Sequence, residues 1–301
     1  MCRQNAISFV QHSAIDRQAW DACVGLHAPG HIYACSWYLD VMAPGWTALV
    51  LGNYEAVMPL PCRKKYGIHY LYQPFLTAQL GLIAADHSPA LLRSFLDAIP
   101  RQYRYWDICL NHQDPQRVDG YALHTRINLV LPLQQPHDSI RQLYNENTVR
   151  NIRKAEAAGL VLKKNVSPTE VMALSHQPLS PDESDRLLQL YNVLAQRDQA
   201  FTYGITSEQG LLLASAIFFV HQGRAFYILP GNTVASRHTG ASHMLIDQFI
   251  KQHALQLHTL DFEGSDIATV ARFYAGFGAQ QENYPALQLN RLPWLLRWLK
   301  K

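Results

Sequence analysis

Apolar and polar positions along this chain follow two rhythms, and the switch from one to the other marks its elements. Near the start, apolar residues recur at helical spacing from Ile15 to Val24 and again in ACSWYLDVM, residues 34–42, so both segments read as helices. The next three segments, WTALVL (46–51), YEAVMPLP (54–61) and IHYLYQP (68–74), are rich in β-branched and aromatic residues. Gly-Asn or the basic turn RKKYG separates them, the pattern of a strand meander. A helix over Ala90–Ala98 follows, then strand-like YWDICL (105–110) and HTRINLVLPL (124–133), which closes one α/β layer structure near Leu133.

Between Gln134 and Ser139 the chain turns polar, QQPHDS, with a proline that interrupts regular structure. This predicts a boundary between domains 1–138 and 139–301. Beyond it, Thr148–Ala158 reads as a helix stopped by Gly159, in the position of a left-handed C-cap. A second helix starts with Ser180 as N-cap, Pro181 at the first helical position and acidic residues in the first turn. LLLASAIFFV (211–220) and AFYILPGN (225–232) form a hairpin around HQGR. GASHMLIDQFIKQHAL (240–255) is a helix with Met244, Leu245, Phe249 and Leu255 near one apolar face. HTLDFEG (258–264) is a strand, IATVARFYAGFG (267–278) a helix, ENYPALQLN (282–290) a last strand and LPWLLRWLKK (292–301) a short amphipathic helix. Both halves run helices, strand pair, helix, strand, a coarse echo of two copies of one fold. The expected class is α/β (α+β), two domains, each a mixed, mostly antiparallel sheet flanked by helices.

Composition adds limits. With 48% hydrophobic and 16% charged residues the chain is globular. Its longest apolar run, Leu211–Val220, is too short for a bilayer, and MCRQNAISF has no signal-type core, so a soluble, cytoplasmic protein without a membrane span is expected. The five cysteines (Cys2, Cys23, Cys35, Cys62, Cys109) lack a CxxC pair, and the histidines, His31 and His69 among them, lack paired-ligand spacing; the expectation is free thiols and no metal. A net charge of +3 permits an anionic cofactor or RNA without demanding either, and DNA is not an expected partner.

Chemistry concentrates after the hairpin, where PGNTVASRHTGAS leads into the helix beginning near Gly240. A helix start leaves several amides without intrahelical partners and carries partial positive charge, so Arg237, His238, Thr239, Gly240, Ala241 and Ser242 have the parts of a pyrophosphate cradle. The plainer reading, a glycine that shapes the turn beside a solvated arginine, stays open. Asp261 and Glu263 lie at i and i+2, on one face of their strand, and either serves as a proton acceptor or as a partner for the helix start at Ser265–Ile267. Tyr274 is either an acid or an aromatic packed on the sheet. In the first half, Tyr72 and Gln73 in YLYQPFL suit the wall of an acceptor pocket or core packing. Arg150, Arg153, Lys154, Lys163 and Lys164 make the start of the second half basic, either meeting phosphates or solvated, with Arg153 and Lys154 paired to Glu156 or the loop.

Arg237, Gly240 and Ser242 resemble the R/Q-x-x-G-x-G/A motif of the GNAT superfamily of acyltransferases, with serine where glycine or alanine is usual. DIATVARFYAGFGA resembles the next GNAT helix, placing Tyr274 where a family tyrosine protonates the departing thiolate. RNIRKAEAAG (150–159) and DFEG (261–264) resemble the Fem-like branch, in which two GNAT-type domains are fused and the first is a degenerate copy. The resemblance implies a C-terminal donor domain that binds acyl-CoA, an N-terminal acceptor side and an N-acyltransferase acting on a small-molecule or peptide amine. The alternative it implies is the Fem-like donor, aminoacyl-tRNA, which makes tRNA a partner; a catalytically silent double-GNAT protein that binds a ligand or partner is the third reading. For transfer to an amine, Glu263 is the preferred base, Asp261 the second, and Tyr274 the acid.

Overall fold

The run HTRINLVLPL does not form one strand. It is extended over Leu123–Arg126 and again over Leu129–Pro132, and the two pieces join different sheets. The break falls at Asn128, fully buried, whose Oδ1 accepts the Leu129 amide at 2.8 Å while Nδ2 reaches Glu282 at 3.4 Å. An asparagine side chain that bonds its neighbouring backbone offers the chain an alternative to the ladder, and here the strand ends on it. The computed structural model describes residues 6–264 and 266–294, and of residues 235 and 237 the backbone alone. The chain separates beside this break into two units, Met1–Arg126 with Asn283–Lys301, and Ile127–Glu282. The expected boundary at 138/139 thus lies inside the second unit, because QQPHDS runs into a short helix whose Ile140 is buried in that unit's core.

In chain order the elements are β1 (Ile7–Val10), α1 (Arg17–His27), α2 (Ser36–Met42), β2 (Thr47–Leu51), β3 (Ala56–Leu60), β4 (Cys62–Lys65), β5 (Ile68–Tyr72), α3 (Pro89–Ala98), β6 (Tyr103–Cys109) and β7 (Leu123–Arg126). There follow β8 (Leu129–Pro132), α4 (His137–Arg141), α5 (Glu146–Ala157), β9 (Val161–Lys164), α6 (Pro168–Leu174), α7 (Pro181–Ala195), β10 (Ala200–Thr206), β11 (Leu212–His221), β12 (Arg224–Asn232), α8 (Ala241–His253), β13 (Thr259–Asp261), α9 (Ala268–Ala275), β14 (Gln280–Gln281) and β15 (Tyr284–Asn290). The expected closing helix lies almost wholly outside the described residues.

The first unit holds a three-stranded sheet, β1-β2-β3, and a five-stranded one, β4-β5-β6-β15-β7. The last strand therefore returns to the first unit instead of completing the second. RKKYG proves to be more than a turn: Cys62–Lys65 is strand β4, and the reversal is made by Tyr66 and Gly67, at φ 50° and 77°. Asp16 caps α1 and Ser88 caps α3.

The second unit is one seven-stranded sheet, β14-β8-β13-β12-β11-β10-β9, antiparallel except for the β12–β13 pair. Ser180 caps α7 through a capping box with Glu183, with Pro181 at the first position, and Gly159 ends α5 at φ 64°. The sequence reading passed over β9, α6 and β10. FTYGIT lacks clean alternation, and a Cβ at its Gly204 would stand 2.5 Å from Leu212 Cδ1 and 2.8 Å from Val166 Cγ2, so both side chains would have to shift. The core forms where α8 crosses the sheet, with Phe249 stacked on Phe218 of β11 at 3.8 Å and 9°. Removing that ring leaves a cavity the sheet cannot close. Phe249→Ala is expected to lower unfolding stability by about 3–5 kcal/mol, read as a fall in the urea midpoint with an unchanged m-value.

Candidate active site

The parallel pair β12–β13 is short. Arg224, Ala225 and Phe226 face Thr259, Leu260 and Asp261; β13 then ends while β12 continues to Asn232. A bulge at Ile228, where the β11 register shifts between Ile217 and Phe218, accompanies the departure of β12. Beyond the parting lie two adjoining cavities of about 370 and 290 Å³, which share His176, Asn232, Ser242 and Phe273 in their walls. The larger reaches Gly240 and His243 at the start of α8, and the smaller reaches Tyr227, Leu229 and Tyr274.

Two glycines let backbone approach this cleft closely. At Gly231 a Cβ would lie 2.7 Å from the Leu174 carbonyl carbon, so the end of α6 packs directly on β12 and Ser175 bridges to Gly231. That contact sets His176 beside the cleft, where its Nε2 lies 3.0 Å from Asn232 Oδ1. Gly240, at φ 78°, is the N-cap of α8, and a Cβ there would lie 2.1 Å from the Asn151 carbonyl oxygen of α5. Alanine is excluded there by both the left-handed conformation and the contact. The segment read as an open loop is partly wound: Val234–His238 is a turn of 3-10 helix capped by Thr233, whose Oγ1 accepts the Ser236 amide at 3.3 Å.

Among the described residues the amides of Gly240, Ala241 and Ser242 have no acceptor. They begin a helix of 13 residues at the mouth of the larger cavity, an arrangement that favours an anion. His238 is exposed and Thr239 Oγ1 donates to Ser236 O at 3.2 Å, while the Arg237 side chain lies outside the described residues.

Of the acid–base candidates, Tyr274 lines the smaller cavity. Its ring stacks on Phe262 at 4.6 Å and meets Tyr227 edge-on at 6.0 Å, so packing and cleft position coincide. Burial, with the charge of Glu263 adding to it, raises the Tyr274 hydroxyl well above the ordinary phenol range and keeps it protonated at neutral pH. Glu263 follows β13 at φ 60°, half-buried and close enough to act on that hydroxyl.

Asp261 is a different case. It is 1% exposed, its Oδ2 accepts from Arg224 Nε at 3.0 Å and from an Arg224 terminal nitrogen at 2.7 Å, and its Oδ1 accepts the Glu263 amide at 2.7 Å. The same guanidinium reaches Glu282 at 2.5 Å. Burial works against the Arg224 charge, but the two carboxylates outweigh it and hold the guanidinium charged. With both oxygens engaged, Asp261 is a structural partner of β12 and not a free base. The sequence placed Arg224 in a turn, so this pair was not visible there.

Arg153 is exposed on α5 and lines a separate cavity of about 310 Å³ with Arg150, Glu146 and Tyr144. Tyr72 and Gln73 belong to the first unit and have local roles there. Arg63 lies 4.2 Å over the Tyr72 ring, and Gln73 clamps its loop, Nε2 to Thr77 O at 2.8 Å and Oε1 from the Cys109 amide at 2.9 Å. The sequence reading missed His176, Asn232 and His243. Only His243 left a trace, one helical turn after Gly240. It meets Phe273 edge-on at 4.8 Å, and burial pulls its pKa down to about 4, leaving it neutral at pH 7. Among the described residues no cluster of His, Cys, Asp or Glu suits a metal ion, and no helix is long and apolar enough to cross a membrane.

No family model matches the chain, and no curated protein matches it. Solved structures do. FemX superposes with a TM-score of 0.64 at 12% identity, covering 95% of this chain and 98% of its own. A tandem GNAT protein from the clavulanic acid biosynthesis pathway gives 0.57 at 12%, covering 96% and 99%. The C-terminal domain of a putative lysylphosphatidylglycerol synthetase from Agrobacterium fabrum gives 0.53 at 11%, covering 92% of each. The chain has the Fem-like tandem GNAT fold.

Two outcomes follow from the charges. Asp261→Ala strands Arg224 with Glu282 alone and is expected to cost about 3 kcal/mol, seen as earlier thermal unfolding. The His243 pKa is lower in the folded than in the unfolded chain, so the unfolded state takes up the proton first as pH falls. Its contribution is intact above about pH 6.5 and erodes toward about pH 4, by up to about 3 kcal/mol. Urea midpoints measured from pH 7 to 4 are expected to fall less steeply in His243→Phe than in the parent.

Proposed function

We propose that this chain is an N-acyltransferase that moves an acyl group from an acyl-CoA thioester to an amine. The observation that carries this reading is the row of open amides at Gly240, Ala241 and Ser242, opening on a cleft that continues to Tyr274. The amides, with Arg237 and the flanking His238 and Thr239, receive the pyrophosphate, and the acyl end lies along β12. A thioester carbonyl in the smaller cavity would set its sulfur near Tyr274, whose hydroxyl is held protonated and supplies the proton to the leaving thiolate. Glu263 keeps that proton in place electrostatically. Asp261 fixes the point where β12 and β13 part. Much of the rate then comes from holding amine and carbonyl together. The first unit, as the degenerate copy, takes the acceptor side, and the free thiols of the described cysteines suit the cytoplasm.

One observation favours aminoacyl-tRNA as the alternative donor. Arg150, Arg153 and Lys154 are exposed on α5, the helix whose Asn151 carbonyl abuts Gly240, so cationic side chains stand beside the anion-binding end of α8. A tRNA donor would make activity sensitive to ribonuclease and steeply dependent on salt.

The test uses a substitution compatible with the helix. Ser242→Asp puts an acid in the first turn, which suits the helix end but repels a phosphate. Coenzyme A at a hundred times its dissociation constant is expected to add about 2.7 kcal/mol to the parent's stability, and nothing to the variant's. Equal shifts in both would remove the pyrophosphate site from α8. Tyr274→Phe is expected to keep the coenzyme A shift and lose about 100-fold in turnover.

A further inference from the structure

Transfer to an amine needs a group that removes a proton from an ammonium at neutral pH, and the expected carboxylates do not line this cleft. Asp261 is consumed by Arg224, Glu263 acts on the Tyr274 hydroxyl but lines neither cavity, and no Asp, Glu, Lys or Arg stands among the described residues of either wall. The titratable side chains in those walls are His176, His243, Tyr227 on β12 and Tyr274 on α9. Burial keeps both phenols protonated and leaves His243 a poor base, at about 4. Near His176 on its own segment, the carboxylates of α7 are engaged: Asp182 with Arg186 at 2.9 Å and Glu183 with Ser180.

We propose, resting on the transferase reading above, that His176 is the proton acceptor for the amine, with Asn232 orienting it. Three features carry this. His176 is exposed, so a proton taken there passes directly to water. It belongs to both cavities, where the thioester and the amine must meet. Its Nε2 faces Asn232 Oδ1 at 3.0 Å, and an amide oxygen only accepts, so Nε2 carries the hydrogen and Nδ1 keeps the lone pair. The chemistry balances. The ammonium gives one proton to His176 Nδ1, and this proton goes on to solvent. The amine nitrogen forms the C–N bond as the C–S bond breaks with its electron pair on sulfur. Sulfur takes the Tyr274 proton, and the second proton shed by the new amide nitrogen restores Tyr274. The products are an amide, a thiol and one proton.

Two acceptor probes test this with the full chain and acetyl- or octanoyl-CoA, whichever shifts its melting temperature. Ethanolamine is an ammonium at neutral pH and needs a base; hydroxylamine is already neutral and does not. In His176→Ala, ethanolamine-dependent thiol release is expected to fall about 100-fold at pH 7 and to recover as pH rises, while hydroxylamine-dependent release falls far less. Asn232→Ala is expected to weaken the ethanolamine rate in the same sense. Nitrogen-15 spectra of the imidazoles, assigned with His176→Ala, are expected to show His176 protonated at Nε2 in its neutral form. Equal losses with the two acceptors, or a neutral His176 protonated at Nδ1, would overturn the assignment. If the parent neither binds coenzyme A nor releases thiol with either acceptor, the donor reading fails first and this role falls with it.

Discussion

The cleft depends on a single lock, the Arg224 guanidinium held between Asp261 and Glu282. Arg224 opens β12, Asp261 closes β13, and Glu282 follows β14, so one side chain ties three strands at the level of the parallel pair β12–β13. Burying such charges is costly and is recovered only when the geometry is good and the buried oxygens find donors; Asp261 accepts three hydrogen bonds, two at Oδ2 and one at Oδ1. The ion pair joins the start of β12 to the end of β13, and past the bulge at Ile228 β12 continues without β13 beside it. A cleft in a sheet is otherwise a row of unsatisfied backbone groups, so its edges must be pinned.

Pinning at the other end is steric. Gly231 admits the end of α6 onto β12, and Gly240 admits the start of α8 onto α5. The first contact delivers His176 and the second points the open amides of α8 at the cavity. Neither glycine touches the cleft through a side chain; each acts through what its missing Cβ allows to approach.

These dependencies explain what could be read from the sequence. Helix α7 was legible down to its cap because Ser180, Pro181 and Glu183 are local signals, and the hairpin β11–β12 was legible because its apolar runs are long and its turn holds a glycine. The turn into α8 was legible for the same reason: Gly240 is a local signal and stands as the N-cap of that helix. What failed was non-local. HTRINLVLPL looks continuous, yet Asn128 divides it between two sheets, and ENYPALQLN follows the second unit in sequence while pairing with β6 and β7 in the first. The Arg224–Asp261 pair spans 37 residues and His176–Asn232 spans 56, so neither has a local spacing to betray it. Short β9, β10 and α6 lack the clean periodicity that a window can register.

One physical cause runs through the site chemistry. Burial disfavours charge, so it moves acids and bases in opposite directions: the Tyr274 hydroxyl is pushed up and the His243 imidazole down, and both are neutral at pH 7. The described cleft walls therefore carry no formal charge from these groups. At the start of α8 the partial positive charge of the helix end stands beside the cationic side chains of α5, Arg150, Arg153 and Lys154, so the two act on an anion with the same sign. The cleft has two chemically distinct ends, the open amides of Gly240, Ala241 and Ser242 at one and the buried Tyr274 at the other. The first end is set by where the backbone of α8 begins, and the second by side chains on β12 and α9 such as Tyr227 and Tyr274.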